Sequence, residues 1–184
     1  DSIEGNIKVG KSDIFVSEAC EYTNSFLHFY PRYSVILNVE AEHLDFFKDI
    51  QDIRNSFRKF AENTKKDGAI IINGEIENYT ELTSGLDPQV ITFGLNDSCD
   101  YYPSDITFDK TACASFTAMH HGTPVMDVKL HVPGMHNVSN ALAAIALSLD
   151  LGISTDAILA GLSAFGGADR RFQYKGCVDG VTII

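Results

Sequence analysis

The chain has 184 residues, 45% of them apolar and 21% charged, which suits one compact domain with a sizeable core and excludes a disordered chain. A formal net charge of -11, with no local run of Lys or Arg, repels a nucleic-acid backbone and leaves room for a small anionic ligand only where a cationic pocket forms. No apolar stretch reaches the roughly 18 to 20 residues of a membrane span. Asp1 to Glu4 also lacks the basic and apolar regions of a signal peptide, so a cytoplasmic location is expected.

In chain order, Asp13 to Ser17 (around Ile14, Phe15 and Val16) and Tyr33 to Asn38 (around Val35, Ile36 and Leu37) read as strands covered on both faces. From Ile50 to Lys66, the residues Ile50, Ile53, Phe57, Phe60 and Ala61 recur at helical spacing and predict a crossover helix that stops near Asp67-Gly68. Ala69 to Ile72 and Gln89 to Phe93 follow as further buried strands.

The pattern then changes. Tyr101 to Phe108, Ala112 to Met119 and Val125 to Val132 predict a small antiparallel meander, its last strand alternating Met126, Val128, Leu130 and Val132 with polar residues. After Pro133-Gly134 comes a helix with the stripe Val138, Ala141, Leu142, Ile145 and Leu149, ended by Gly152. Ser154 is the expected N-cap of a second helix that runs toward Gly166-Gly167. Two β-like pieces close the chain, Arg171 to Tyr174 and Val181 to Ile184. Both termini read as cuts within a longer protein, since a domain rarely stops on an uncapped apolar strand. The expected fold is α/β, a mostly parallel sheet flanked by helices with a small antiparallel sheet inserted before Gly134.

In an open parallel sheet, ligands bind beyond the carboxyl ends of the strands, which singles out Glu18, Asn38 and His43. A carboxylate and an imidazole on one rim suit a divalent cation, with Asp45 either orienting His43 or capping the next helix. On patterning alone the plainer reading is favoured: Glu18 and Glu21 as solvated loop acids and His43 as a turn residue. The segment Gly134-Met135-His136-Asn137-Val138-Ser139-Asn140 places polar side chains at the start of a helix. There Asn137 and Asn140 share a face suited to a base edge, or Asn137 is simply the N-cap.

Arg170-Arg171, after the flexible Phe165 to Asp169 segment, either grips a nucleotide phosphate or forms a surface pair. His120 and His121 read as exposed residues of a hairpin turn. The cysteines, Cys20, Cys99, Cys113 and Cys177, form no CxxC pattern, so reduced and mostly buried thiols are expected. Gly-x-Ser-x-Gly, His-Glu-x-x-His, Gly-x-Gly-x-x-Gly and GxxxxGK[ST] are all missing from the sequence, which disfavours hydrolase, zincin, dinucleotide and self-contained P-loop readings.

Taken in order, Glu18-Ala19-Cys20-Glu21-Tyr22, Asn38-Val39-Glu40-Ala41-Glu42-His43-Leu44-Asp45, Gly134 to Ala141 and Gly167-Ala168-Asp169-Arg170-Arg171-Phe172 resemble the Mur ligase family over nearly the whole chain. The forms of the first two are most like the members that add L-alanine to UDP-N-acetylmuramate. The resemblance implies the central, ATP-binding domain of a three-domain cytoplasmic enzyme of peptidoglycan synthesis, working through an acyl phosphate. It implies Glu18 as a magnesium ligand and His43 as the ligand of a second metal ion, His136, Asn137 and Asn140 at the adenosine, and Arg171 on the ATP phosphates. The family's phosphate-cradling loop would precede this segment, and residues 179–184 would open the third domain after a central domain of residues 1–178. Where several relatives carry a carbamylated lysine, Phe60 stands here. A ligase that attaches a recycled tripeptide, or a non-catalytic binding domain, are the alternatives.

Overall fold

The computed structural model describes residues 9–168, 176–178 and 180–183. Tyr33–Ile36 (β1), Ala69–Asn73 (β2) and Gln89–Phe93 (β3) are short runs rich in β-branched residues. They pair in parallel, with Val35 opposite Ile71 and Ile71 opposite Ile91. Parallel neighbours need a crossover, supplied by helix α1 (Ile50–Glu62) between β1 and β2 and by the single turn α2 (Thr80–Thr83) between β2 and β3.

Helix α1 begins where a side chain can answer its unpaired amides. Asp49 accepts from the Asp52 N–H at 2.9 Å while Asp52 reaches back to the Lys48 N–H at 3.1 Å. Asp49→Ala is therefore expected to cost about 1 kcal/mol, read as a lower urea midpoint with unchanged slope. The helix stops at Glu62, short of Lys66, because Asn63 turns its side-chain amide to the carbonyls of Leu27 (3.0 Å) and Phe29 (3.1 Å). Those carbonyls close a 3-10 helix, Tyr22–His28, that the hydrophobic pattern does not reveal.

Alternation along β2 builds two cores. Ile70 and Ile72 face Phe26, Phe60, Ala61 and Leu82 on the side of α1 and α2. Ala69 and Ile71 face helices α3 (Met135–Asp150) and α4 (Thr155–Ala164). The result is a sheet with helices on both faces, α4 capped by Ser154 as expected.

The meander is real but is not a separate sheet. β4 (Tyr101–Phe108), β5 (Cys113–His120) and β6 (Thr123–Pro133) continue the main one, which runs β1-β2-β3-β4-β5-β6. The join is Phe93 beside Tyr101, parallel, fixed by Asp100: its carboxylate takes the Thr92 N–H (2.7 Å) and hydroxyl (2.8 Å). Met126, Val128, Leu130 and Val132 are buried, as their alternation required.

Four expectations are corrected. Asp13 to Ser17 forms no strand: Phe15 and Val16 are 85% and 81% exposed, and a cleft of about 810 Å³ lies between this run and β1. An apolar run becomes a strand only with a ladder partner for its backbone, and this run lies across the cleft from the outer edge of β1. The same cleft leaves Val35 and Leu37 partly exposed, so β1 is not covered on both faces.

Among the cysteines only Cys99 is buried; Cys20 and Cys177 are exposed and Cys113 is half-buried. Cys99 fits because Gly74 and Gly94 flank it, a Cβ on either falling 2.8 Å from its sulfur, and burial pushes its thiol pKa up. His120 is not a free turn residue either. It stacks on Tyr101 with centroids 4.2 Å apart, and burial lowers its pKa.

Val181–Ile183 (β8) pairs with Gly176–Val178 (β7) in a small hairpin. Arg171 to Tyr174 lies outside the described residues.

Candidate functional site

The carboxyl ends of the strands gather the acidic residues. Glu18, Glu21, Glu40 and Glu42 line one mouth of the β1 cleft, together with Asn38. Asn38 serves its own loop, its side-chain oxygen accepting from the Val39 N–H at 2.9 Å.

His43 is fixed by its backbone. Its φ of 53° is left-handed, and its carbonyl accepts from the amides of Phe46 and Phe47, both at 2.9 Å. Phe47 is 2% exposed and anchors that turn in the core. A non-glycine residue in this conformation costs of order 1 kcal/mol and persists only where the surroundings over-determine it.

The imidazole Nε2 stands 3.1 Å from Glu21 Oε1, and donor atoms of Glu21, Glu42 and His43 all lie within 4.8 Å of one another. Sequence reasoning had set Glu21 aside as a solvated acid and passed over Glu42. The signal available was their place, Glu21 three residues after Glu18 and Glu42 next to His43 in the same loop. Glu18 shares the rim without joining this group of three.

Asp45 neither touches His43 nor caps α1. It accepts the Tyr22 hydroxyl at 2.9 Å, a bond that raises the phenol's pKa and keeps it a donor. The cap role belongs to Asp49.

The second set sits at the start of α3. Gly134 is the N-cap at φ 97°, so Asn137 is not, and among the described residues no side chain caps the first turn. Glycine is favoured there by the backbone angle, and a Cβ would in addition push the exposed His136 ring aside, falling 2.7 Å from its Cε1. Asn137 donates to the Pro133 carbonyl at 2.8 Å, stands 3.2 Å from His136 Nε2 and accepts from Asn140 at 3.5 Å. His136, Asn137 and Asn140 are thus one connected group.

Among the described residues no hydrogen bond or ion pair joins it to His43. Strand order explains this, since α3 follows β6 at one edge of the sheet while His43 follows β1 at the other. Arg170 and Arg171 lie outside the described residues. Phe60 is 6% exposed and stacks on Phe26 at 4.8 Å, so that position is core and offers no ligand atom.

Fold and rim together define an open α/β domain of the kind that takes ligands beyond the carboxyl ends of its strands. The family model for the Mur ligase middle domain matches residues 5–148, and the chain belongs to that family. It is 67% identical over 183 residues to the UDP-N-acetylmuramate--L-alanine ligase of Agathobacter rectalis, covering 100% of this chain and 40% of that protein. It is 45% identical over 184 residues to the enzyme of the same name from Caldanaerobacter subterraneus subsp. tengcongensis, again with 100% and 40% covered.

The chain thus spans 40% of the length of these relatives. Among solved structures, the UDP-N-acetylmuramate-alanine ligase MurC of Thermotoga maritima superposes with a TM-score of 0.70 at 32% identity, covering 85% of this chain and 34% of that one. MurF of the same organism, solved in complex with ADP, shares the fold at 18% identity with a TM-score of 0.65, covering 80% of this chain and 33% of that one.

Proposed function

We propose that this chain is the ATP-binding middle domain of a longer cytoplasmic ligase that joins L-alanine to UDP-N-acetylmuramate while ATP is split to ADP and phosphate. Residues 1–178 form that domain in this reading and 179–184 open the next. One observation carries it: a chain 67% identical to such a ligase brings Glu21, Glu42 and His43 together on the rim where an α/β sheet takes ligands.

The donor set fits a divalent cation, magnesium in this reading. The carboxylates are the oxygen ligands that ion takes, and the imidazole is a donor more usual for transition-metal ions. In an octahedral magnesium shell, neighbouring donors sit about 3 Å apart and opposite ones about 4 Å, so small side-chain rotations close the three on one ion. Glu18, on the same rim, would complete the shell. Bound there, the ion would neutralise charge developing on the transferred phosphoryl group.

The chain's own residues do the rest in this reading. His136, Asn137 and Asn140 receive the adenosine, their amides offering donor and acceptor to the base, while the uncapped start of α3 favours a polar or anionic edge. Arg171 holds the ATP phosphates through its planar fork of donors. The muramate carboxylate takes the γ-phosphoryl group as ADP leaves, and the alanine amine then attacks the acyl carbon and displaces phosphate.

The test is phosphate release by the full-length protein. Release is expected only with ATP, UDP-N-acetylmuramate and L-alanine together. Release with another amino acid or with a tripeptide, and none with L-alanine, would reject the assignment.

A further inference from the structure

We infer that Tyr22 is a positioning residue that holds the His43 imidazole toward the cation donors, an inference that rests on reading Glu21, Glu42 and His43 as those donors. Tyr22 touches the turn that carries His43 at three places. Its hydroxyl donates to Asp45 Oδ2 at 2.9 Å, its ring centroid lies 4.7 Å from that of His43, and it meets Phe46 in a T-shaped pair with centroids 6.0 Å apart. Each contact falls on the segment whose pivot is the left-handed His43 backbone.

A clamp of this kind has work to do because the His43 side chain is 38% exposed. An exposed imidazole samples several rotamers, and fixing one on binding costs affinity. The Tyr22 ring restricts that freedom beforehand, and its bond to Asp45 keeps the ring in place.

Tyr22 is itself tied to the core. Its carbonyl accepts from the Ser25 hydroxyl at 2.9 Å. Thr23 and Asn24 turn the chain sharply at φ 55° and 58°, and Asn24 is held by the hydroxyl of Ser56 on α1. Two residues on, Phe26 is 1% exposed. A chain of contacts therefore runs from the α1 core through Tyr22 to His43, and the residue before Tyr22 is Glu21, a donor of the same cluster. One short segment supplies both a ligand and the brace for the ligand opposite.

Mn²⁺ alone serves as the probe. Its binding is titrated by electron paramagnetic resonance, and the ¹⁴N modulation of the bound ion's spin echo reports a coordinated imidazole. Wild type is expected to bind with that modulation, and His43→Ala to lose it. Tyr22→Phe keeps the ring and drops the Asp45 bond, Tyr22→Ala drops both, and affinity is expected to fall stepwise, reaching about 10-fold in the second with a shallower ¹⁴N signal.

Asp45→Asn, which retains an acceptor, should lie nearer wild type than Asp45→Ala. Urea midpoints unchanged across the set would separate positioning from a structural role. Wild-type affinity and modulation in both Tyr22 variants, with both lost in His43→Ala, would overturn the inference while leaving the cation site standing. No Mn²⁺ binding by wild type, or undiminished binding by His43→Ala, would remove the cation site and the inference with it.

Discussion

Replacing His43 with Ala is expected to lower L-alanine-dependent phosphate release by the full-length protein by about 100-fold, while its unfolding free energy in urea stays within about 0.5 kcal/mol of wild type. The two expectations come from different parts of the residue. Its imidazole is partly exposed and stands 3.1 Å from Glu21, so removing it deletes a cation donor and leaves no buried hole. Its backbone, by contrast, carries the turn through the carbonyl bonds to Phe46 and Phe47, and alanine keeps them. Glu21→Gln and Glu42→Gln should each weaken the same step less, since a neutral amide oxygen still ligates but no longer supplies charge. Equal activity in His43→Ala and wild type, at saturating and limiting Mg²⁺ alike, would separate this rim from the reaction.

Ile71→Ala should destabilise the domain by about 3 kcal/mol, within the 2 to 5 kcal/mol seen when a large buried aliphatic is truncated. Ile71 is fully buried at the centre of β2, with Val35 opposite it on one side and Ile91 on the other. Its side chain enters the cluster that α3 covers, so the space it leaves has rigid walls on every side. Val35→Ala is the internal control. That residue is 36% exposed at the cleft, and its loss should cost under about 1 kcal/mol. Urea unfolding of both variants decides it, and similar small losses at the two positions would mean that the sheet is not packed as described.

That contrast also shows what the residues disclose about the fold. Ile70, Ile71 and Ile72 announce β2 because a β-branched run that is apolar at every position and bounded by Gly68 and Gly74 fits a strand covered on both faces. The alternation through Met126 to Val132 and the stripe from Val138 to Ile145 fix β6 and α3 just as directly, since each is a period that one local geometry repeats.

Ile14 to Val16 has the same apolar character and forms no strand, because the missing ingredient is a backbone partner, which no side-chain pattern records. Attachment of the meander to the main sheet escaped for a related reason: it depends on Asp100 meeting Thr92, a contact that periodicity does not encode.

The site was legible as a place more than as a set of atoms. Position after a strand pointed to Glu18 and His43, whereas the atoms that meet are those of Glu21, Glu42 and His43. The difference arises in the kink at Thr23 and Asn24 and in the left-handed turn at His43, non-glycine positions where sequence gives little warning of a positive φ. At α3, sequence held open whether Asn137 was the cap. Gly134 takes that position, which releases the Asn137 side chain to join His136 and Asn140.

A cation held where the 3-10 helix meets the His43 turn is central to the proposed reaction. Its most direct test is an anomalous difference map from crystals of the full-length protein grown with Mn²⁺ and a non-hydrolysable ATP analogue. A peak is expected within bonding distance of His43 and of a carboxylate from Glu18, Glu21 or Glu42, with the adenine against Asn137 and Asn140. A peak at the opposite rim, in the hollow lined by Lys65, Lys66, Asp67 and Asp87, with His43 still paired to Glu21, would contradict it.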